Sequence, residues 1–263
     1  MNHPVACPPL QSAGLTIPVF CRRSSRARRL QLRVSPDGVW LVLPRRGGTA
    51  AAAGFLRRHE AWAVRHWRRL AAVHATLPRL APGCLIPFRG TRIRLASTVS
   101  GTAGVPWLES EVLHWYGDAN DLEASLRRWY LQQAAALASR LVADLAPRFG
   151  AAPCHVRLRD LRSRWGSCSA TGTISLNWRL VLAPDAMFAY VIAHELCHLR
   201  QRRHGPVFQA MVKTLAPDAD HCRKWLRSNQ EWMMAFLQPP TTALPLPSAN
   251  IIPSSPVATE YAP

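Results

Sequence analysis

The segment that most constrains this chain is His194-Glu195-Leu196-Cys197-His198. Val191, Ile192, Ala193, Leu196 and Leu199 around it are apolar, so the stretch reads as a mostly buried helix. Residues four apart on an α-helix sit about 40° apart around the axis, so both imidazoles can reach one ion. Glu195 lies one step on, at the edge of that face, where it can contact a metal-bound water without being a ligand. Two histidines and a glutamate on a buried helix are costly unless they are paired or bind a metal. With 10 histidines in 263 residues, chance would place an HExxH pattern in about one such chain in a hundred. Incidental surface histidines would not explain the apolar flanks.

Imidazole suits zinc, and two histidines leave room for a third ligand and a reactive water on a single Zn²⁺. A zinc-bound water has a pKa near 7, and Glu195 is placed to take its proton as it attacks a carbonyl. His204, six residues past His198 and just before Gly205-Pro206, is the expected third ligand, swung over the metal by a turn. Asp218, Asp220 and Glu231 are the other candidates. The metzincin pattern has the same offset but needs glycine where this chain has Gln201, so that pattern is excluded. His221 reads as an exposed helix residue, and Cys197 as packing. Tyr190, one turn before His194 on the same face, could stabilise an oxyanion or simply pack.

The rest of the chain divides by pattern. Residues 1–14 are expected to be disordered, and 15–118 to form a basic, β-rich N-terminal domain. Its first hairpin pairs Arg29–Val34 with Val39–Leu43, and its second flanks Arg89-Gly90. Between them, Ala50 to Val73 has the composition of one helix. Residues 119–237 form the domain that carries the HExxH helix. A long helix capped by Asp121 presents Leu122, Leu126, Trp129, Leu137, Leu141 and Leu145 on one face, and Pro147 should end it. Three short strands follow, at Val156–Leu158, Arg164–Ser167 and Thr173–Trp178. The HExxH helix then runs to about Gln201, where Gly205-Pro206 stops it, and two more helices cover Val207–Leu215 and Asp220–Leu237. Residues 238–263 form a Pro-rich tail with one charged side chain, Glu260, and are expected to be disordered. No internal repeat is visible.

Net charge is +18, and it is lopsided. Residues 1–100 carry 17 arginines against Asp37 and Glu60, whereas the remainder holds 16 basic and 13 acidic residues. Such a patch attracts polyanions, so nucleic acid is a candidate partner of the N-terminal domain. No run approaches the roughly 18 apolar residues of a membrane span, and no secretory leader is visible. Seven cysteines without a CxxC pair point to reduced thiols in a cytoplasm.

Arg164-Trp165-Gly166-Ser167-Cys168-Ser169, Ile174 to Leu180, Tyr190 to Leu199 and His204-Gly205-Pro206-Val207-Phe208 together resemble the YgjP-like metallopeptidase family, often grouped with SprT-like and broader zincin peptidases. The resemblance runs from about Val19 to about Leu237. It implies an α+β fold: a zincin-like catalytic domain, its HExxH helix packed by a small antiparallel sheet and further helices, preceded by the β-rich domain. It also implies a zinc peptidase in which His194, His198 and His204 are ligands, Glu195 is the general base, and a peptide or protein is the substrate. Gly205 stands where the family usually has serine, which touches the loop and not the chemistry. Trp165 and Trp178 read as core and Cys168 as structural; Arg164 reads first as a structural ion pair, with a contact to a substrate carboxylate or phosphate as the alternative. One alternative keeps the metal and hydrolyses a nucleoside triphosphate of the UTP type. Another is a DNA-associated protease that uses the basic domain.

Overall fold

A computed structural model describes residues 5–12, 14–25, 27–35, 37–45, 49–98, 104–238 and 249–250. In chain order its elements are β1 (Val5–Ser12), β2 (Leu15–Ser24), β3 (Gln31–Ser35), β4 (Gly38–Pro44), α1 (Thr49–Arg58), α2 (Glu60–Thr76), β5 (Leu85–Phe88), β6 (Thr91–Ser97), β7 (Trp107–Glu109), β8 (Val112–Trp115), α3 (Leu122–Phe149), β9 (His155–Arg159), β10 (Gly166–Cys168), β11 (Thr173–Asn177), α4 (Asp185–Cys197), α5 (Pro206–Leu215), α6 (Ala219–Ala235) and β12 (Ala249–Asn250). This is the α+β class. No described helix is long and apolar enough to cross a membrane. The chain divides into two compact units, one running up to Leu77 and the other from Pro78 to Leu237. The boundary read from sequence, between 118 and 119, falls inside the second unit, because β5 to β8 pack with the helices that follow them.

The first unit is a sheet of order β1-β2-β4-β3 with two helices. The expected hairpin is β3–β4, with Val34 opposite Val39. β1 occupies the stretch expected to be disordered; pairing with β2 places Leu10 opposite Ile17, and both side chains are buried. A disulfide joins Cys7 to Cys21 across these strands, against the expectation of reduced thiols throughout. The single helix expected over Ala50–Val73 is two, interrupted at His59 (φ −113°, ψ 10°). The break lets Ala52 of α1 and Ala63 and Val64 of α2 reach one apolar cluster with Ile17, Val19, Val39, Leu41 and Leu43.

The second unit is organised around α3. Of its expected apolar face, Leu122, Leu126, Trp129, Leu137 and Leu145 are buried, while Leu141 is half-buried beside a buried Val142. Asp121 makes no capping hydrogen bond; Asp118 instead accepts one from the Asn120 N–H at 2.8 Å in the short turn ahead of it. The helix also outruns Pro147 and ends at Phe149, where Gly150 takes the left-handed conformation (φ 68°) that closes a helix C-terminus. Proline is tolerated there because only the last turn loses a hydrogen bond.

A sheet of order β5-β6-β8-β7 lies against α3 through Phe88, whose ring centroid is 4.9 Å from that of Trp129. The Tyr130 hydroxyl donates to the Pro87 carbonyl at 2.7 Å. The β5–β6 turn docks on the entry to α4: the Arg89 and Gly90 N–H groups donate to the Val181 and Leu182 carbonyls at 2.8 and 3.0 Å. Gly90 (φ 82°) must stay glycine, since a Cβ there would come within 2.7 Å of Pro184 Cγ. The Arg89 and Arg140 side chains both pair with Asp185, the first residue of α4.

The third sheet has the order β10-β11-β9-β12 and is mixed, not antiparallel as expected. β11 inserts between β10, to which it is antiparallel, and β9, to which it is parallel. Ile174 and Leu176 of β11 are thereby buried against Val156 and Leu158 of β9. α4 ends at Cys197, four residues before the expected stop, and Gly205-Pro206 opens α5 instead. Proline at the first helical position suits that role because its missing N–H would have no partner anyway. The expected disordered tail lies outside the described residues, apart from Gln238 and β12.

Candidate metal centre and its cleft

α4 carries His194 and Glu195 in its last turn and His198 at its C-cap. The turn after it brings His204 back: its Nε2 lies 3.2 Å from His194 Nε2 and 3.0 Å from His198 Nε2. Three imidazole nitrogens therefore converge, and they form the group of metal-ligand type among the described residues. A tetrahedral site with bonds of about 2.0–2.1 Å has edges of about 3.3 Å, close to these separations. The His198 Nδ1 sits 3.0 Å from the Gln201 carbonyl. A proton held there leaves Nε2 free to face the other two rings, as ligand histidines require.

Burial, with His198 and His204 nearby, lowers the His194 pKa to about 4. Burial lowers His198 as well. Both rings are thus neutral at pH 7, the protonation state that binds metals. The donor set, its spacing and its protonation fit a divalent cation. Phe208, fully buried at the start of α5, lies under all three rings, with centroids 4.8, 4.6 and 4.8 Å from His194, His198 and His204. Of the alternative third ligands, Asp220 is engaged by Lys213 and Arg223, and neither Asp218 nor Glu231 joins the cluster. His221 is exposed and Cys197 is buried, as their sequence positions suggested.

Glu195 is 5% exposed, and its Oε2 is buried without a hydrogen-bond partner. Burial pushes its carboxyl up to about 7, with Arg164 pulling the other way. Gly166 covers it: a Cβ at that position would lie 2.6 Å from Glu195 Oε1 and 2.8 Å from its Cγ. The backbone of Gly166 is ordinary extended chain, so its need for glycine comes from this close approach alone.

Asn177 holds the segment leading to Gly166. Its Nδ2 donates to the Leu161 and Arg164 carbonyls at 2.7 and 3.3 Å, and its N–H donates to the Trp165 carbonyl at 2.8 Å. Sequence reasoning missed Gly166, Asn177 and Phe208 as supports of the site. The one available signal was their position within the motif segments, which carries no hint of what they touch.

Beside Glu195 and His194 opens a cavity of about 330 Å³. Arg164, Trp165 and Gly166 form one wall, Tyr190 and Val191 another, and Arg223, Leu226, Arg227 and Gln230 of α6 a third. Tyr190 is half-buried with its ring centroid 6.1 Å from that of His194, and burial raises its hydroxyl pKa, so the hydroxyl stays a donor. Trp178 is core, as expected, but Trp165 lines the cavity. Arg164 makes no ion pair among the described residues, contrary to the structural role read from sequence. The buried ion pairs nearby belong to Arg179 and Arg127, which share Asp160. Cys168 is half-buried with its thiol pKa raised by burial, in keeping with an unreactive role.

The sequence pattern of the YgjP-like metallopeptidase domain matches residues 28–229. No curated protein matches the chain, and no solved structure does. The matched span takes in the three converging histidines, Glu195 and every cavity-lining residue except Gln230. The chain belongs to the YgjP-like metallopeptidase family.

Proposed function

We propose that the protein is a zinc-dependent peptidase with a zincin-like arrangement, in which His194, His198 and His204 hold one ion and Glu195 is the general base. The observation that carries this reading is the convergence of three imidazoles next to a buried carboxylate that opens on a cleft. A divalent ion at the three nitrogens supplies Lewis acidity to a carbonyl oxygen and to water. The chain's own residues do the rest. The unpartnered Oε2 of Glu195 accepts the proton of the attacking water and later delivers it to the departing amine nitrogen, so that one water is consumed and an acid and an amine are released. A carboxyl held near 7 is suited to both transfers. β10 is an edge strand whose first residue, Gly166, touches Glu195, so a peptide added along that edge would pass the base in extended form. The Tyr190 hydroxyl is a candidate donor to the oxyanion.

The test is mass spectrometry of an unfolded-protein mixture after incubation with the zinc-loaded protein, with Glu195→Gln as control. New termini made by the wild type alone support the reading. Turnover of nucleoside triphosphates with intact peptides would replace it by the nucleotide alternative. A His194→Ala protein that keeps stoichiometric zinc would refute the ligand assignment.

A second reading concerns the first unit. Arg57, Arg58, Arg65 and Arg68 are exposed on α1 and α2, together with Trp62, which favours contact with a polyanion such as DNA. DNA affinity that falls steeply with salt is the expected result, and affinity independent of salt would end the idea.

A further inference from the structure

The cavity beside Glu195 is cationic beyond what the proposed hydrolysis needs. Arg164 projects from the segment before β10, and Arg223 and Arg227 stand one turn apart on α6. All three are exposed, and Glu195 is the one carboxylate in the lining. Arg223 has a partial counterion in Asp220 at 2.9 Å, but Asp220 is shared with Lys213 at 3.0 Å. Arg164 and Arg227 make no ion pair among the described residues. Like charges four residues apart on a helix repel each other, and among the described residues the shared Asp220 offsets this pair only in part. Trp165, Val191 and Leu226 give the cavity apolar walls, which strengthen the field of the charges between them. Gln230, one turn beyond Arg227 on the same face, adds an amide donor.

We infer that this cavity is a specificity subsite for a carboxylate of the peptide substrate, held by Arg164, Arg223 and Arg227 next to the scissile bond. The inference rests on the peptidase reading and narrows it to peptides that carry an acidic group near the cut. Guanidinium groups meet a carboxylate through paired N–H donors, so arginine is the residue suited to this task. The segment that supplies Arg164 continues directly into the edge strand β10, so a peptide running along that edge would bring its side chains to the cavity mouth. The carboxylate could come from an Asp or Glu side chain or from the peptide's C-terminus.

The experiment uses matched peptide sets in which the residue beside the scissile bond is Glu, Gln or Lys, each with a free or amidated C-terminus. The expected wild-type result is a kcat/KM at least tenfold higher for Glu than for Gln, or for the free over the amidated terminus, which identifies the source. In Arg223→Gln/Arg227→Gln this ratio should fall towards one. In Arg227→Glu the Lys peptide should gain on the Glu peptide, an outcome that misfolding cannot produce. A wild-type ratio of one, or a ratio untouched by these variants, overturns the subsite.

Binding of fluorescent Glu and Gln peptides to Glu195→Gln, followed by anisotropy, separates the two claims. If no peptide is cleaved yet the Glu peptide binds more tightly and loses that advantage in the double variant, the subsite stands and the peptidase reading falls. Equal binding of both peptides sinks the subsite whatever the activity.

Discussion

Two sets of arginines lie in the second unit, and their surroundings separate structure from chemistry. Arg179 and Arg127 are buried, at 1% and 8% side-chain exposure, and share the carboxylate of Asp160. Arg179 also donates to the Phe236 carbonyl at 2.9 Å, and Arg127 donates to that of Leu237, so the pair fastens the chain leaving α6. Arg164, Arg223 and Arg227 are exposed, line the cavity and are under-neutralised. A buried guanidinium must find all its partners within the fold, whereas an exposed one can wait for a ligand. The first set is therefore expected to govern stability and the second substrate choice.

The largest effect should come from Arg179→Met. Removing one partner leaves Asp160 and the Phe236 carbonyl short of donors in a dry site, a loss of about 3–5 kcal/mol in denaturant unfolding. A loss below about 1 kcal/mol would dissolve the distinction between the sets.

The same cluster predicts a pH dependence. Burial alone would raise the Asp160 pKa, but Arg179 and Arg127 together pull it below its ordinary 3.8. A carboxylate depressed by folding contributes stability above its unfolded pKa, and that stability is lost as pH falls through the folded value. Stability should therefore fall below about pH 4, and Arg179→Met should flatten that acid limb.

On the cavity side, the next effect is Gly166→Ala. Its Cβ would push on a carboxylate that has little room to move, so about a ten- to hundredfold loss of turnover is expected, or about 1.4–2.8 kcal/mol in the barrier. Unfolding should change less than for Arg179→Met. Between the two sets stands Asp185→Ala, which removes the partner of Arg89 and Arg140 at the start of α4. Asp185 is 31% exposed, so this change should cost about 1 kcal/mol, including the lost favourable charge at a helix N-terminus.

Local patterns made half of this legible. The alternation in Arg29–Val34 and Val39–Leu43 identifies a hairpin, and the spacing of His194 and His198 on an apolar helix identifies a candidate metal site, because each signal lies within a few residues. Neighbours distant in sequence were not legible. A period-two pattern says which face of β11 is buried but not that β11 lies between β9 and β10. Nothing local reveals that the Arg89-Gly90 turn rests on the entry to α4, which places β5 to β8 in the same compact unit as the helices that follow. Arg223 and Arg227 carry no local signal of the cavity, and it is the fold that sets them in its lining with Arg164. Arg164 itself shows how a motif position invites a structural role that the fold gives to Arg179.

The smallest stability effect, and the one that sharpens the comparison most, is expected for Arg164→Met. Its side chain is exposed and carries no ion pair among the described residues, so unfolding should change by no more than about 0.5 kcal/mol. Its effect should appear in the pH profile instead. Arg164 is the charge that lowers the Glu195 pKa against the rise caused by burial. Without it, Glu195 holds its proton to higher pH, and under the proposed role of Glu195 as base the acid limb of kcat/KM moves upward. A variant that loses several kcal/mol of stability would return Arg164 to the structural class. One with an unmoved acid limb would detach it from Glu195, leaving α6 alone to set the charge of the cavity.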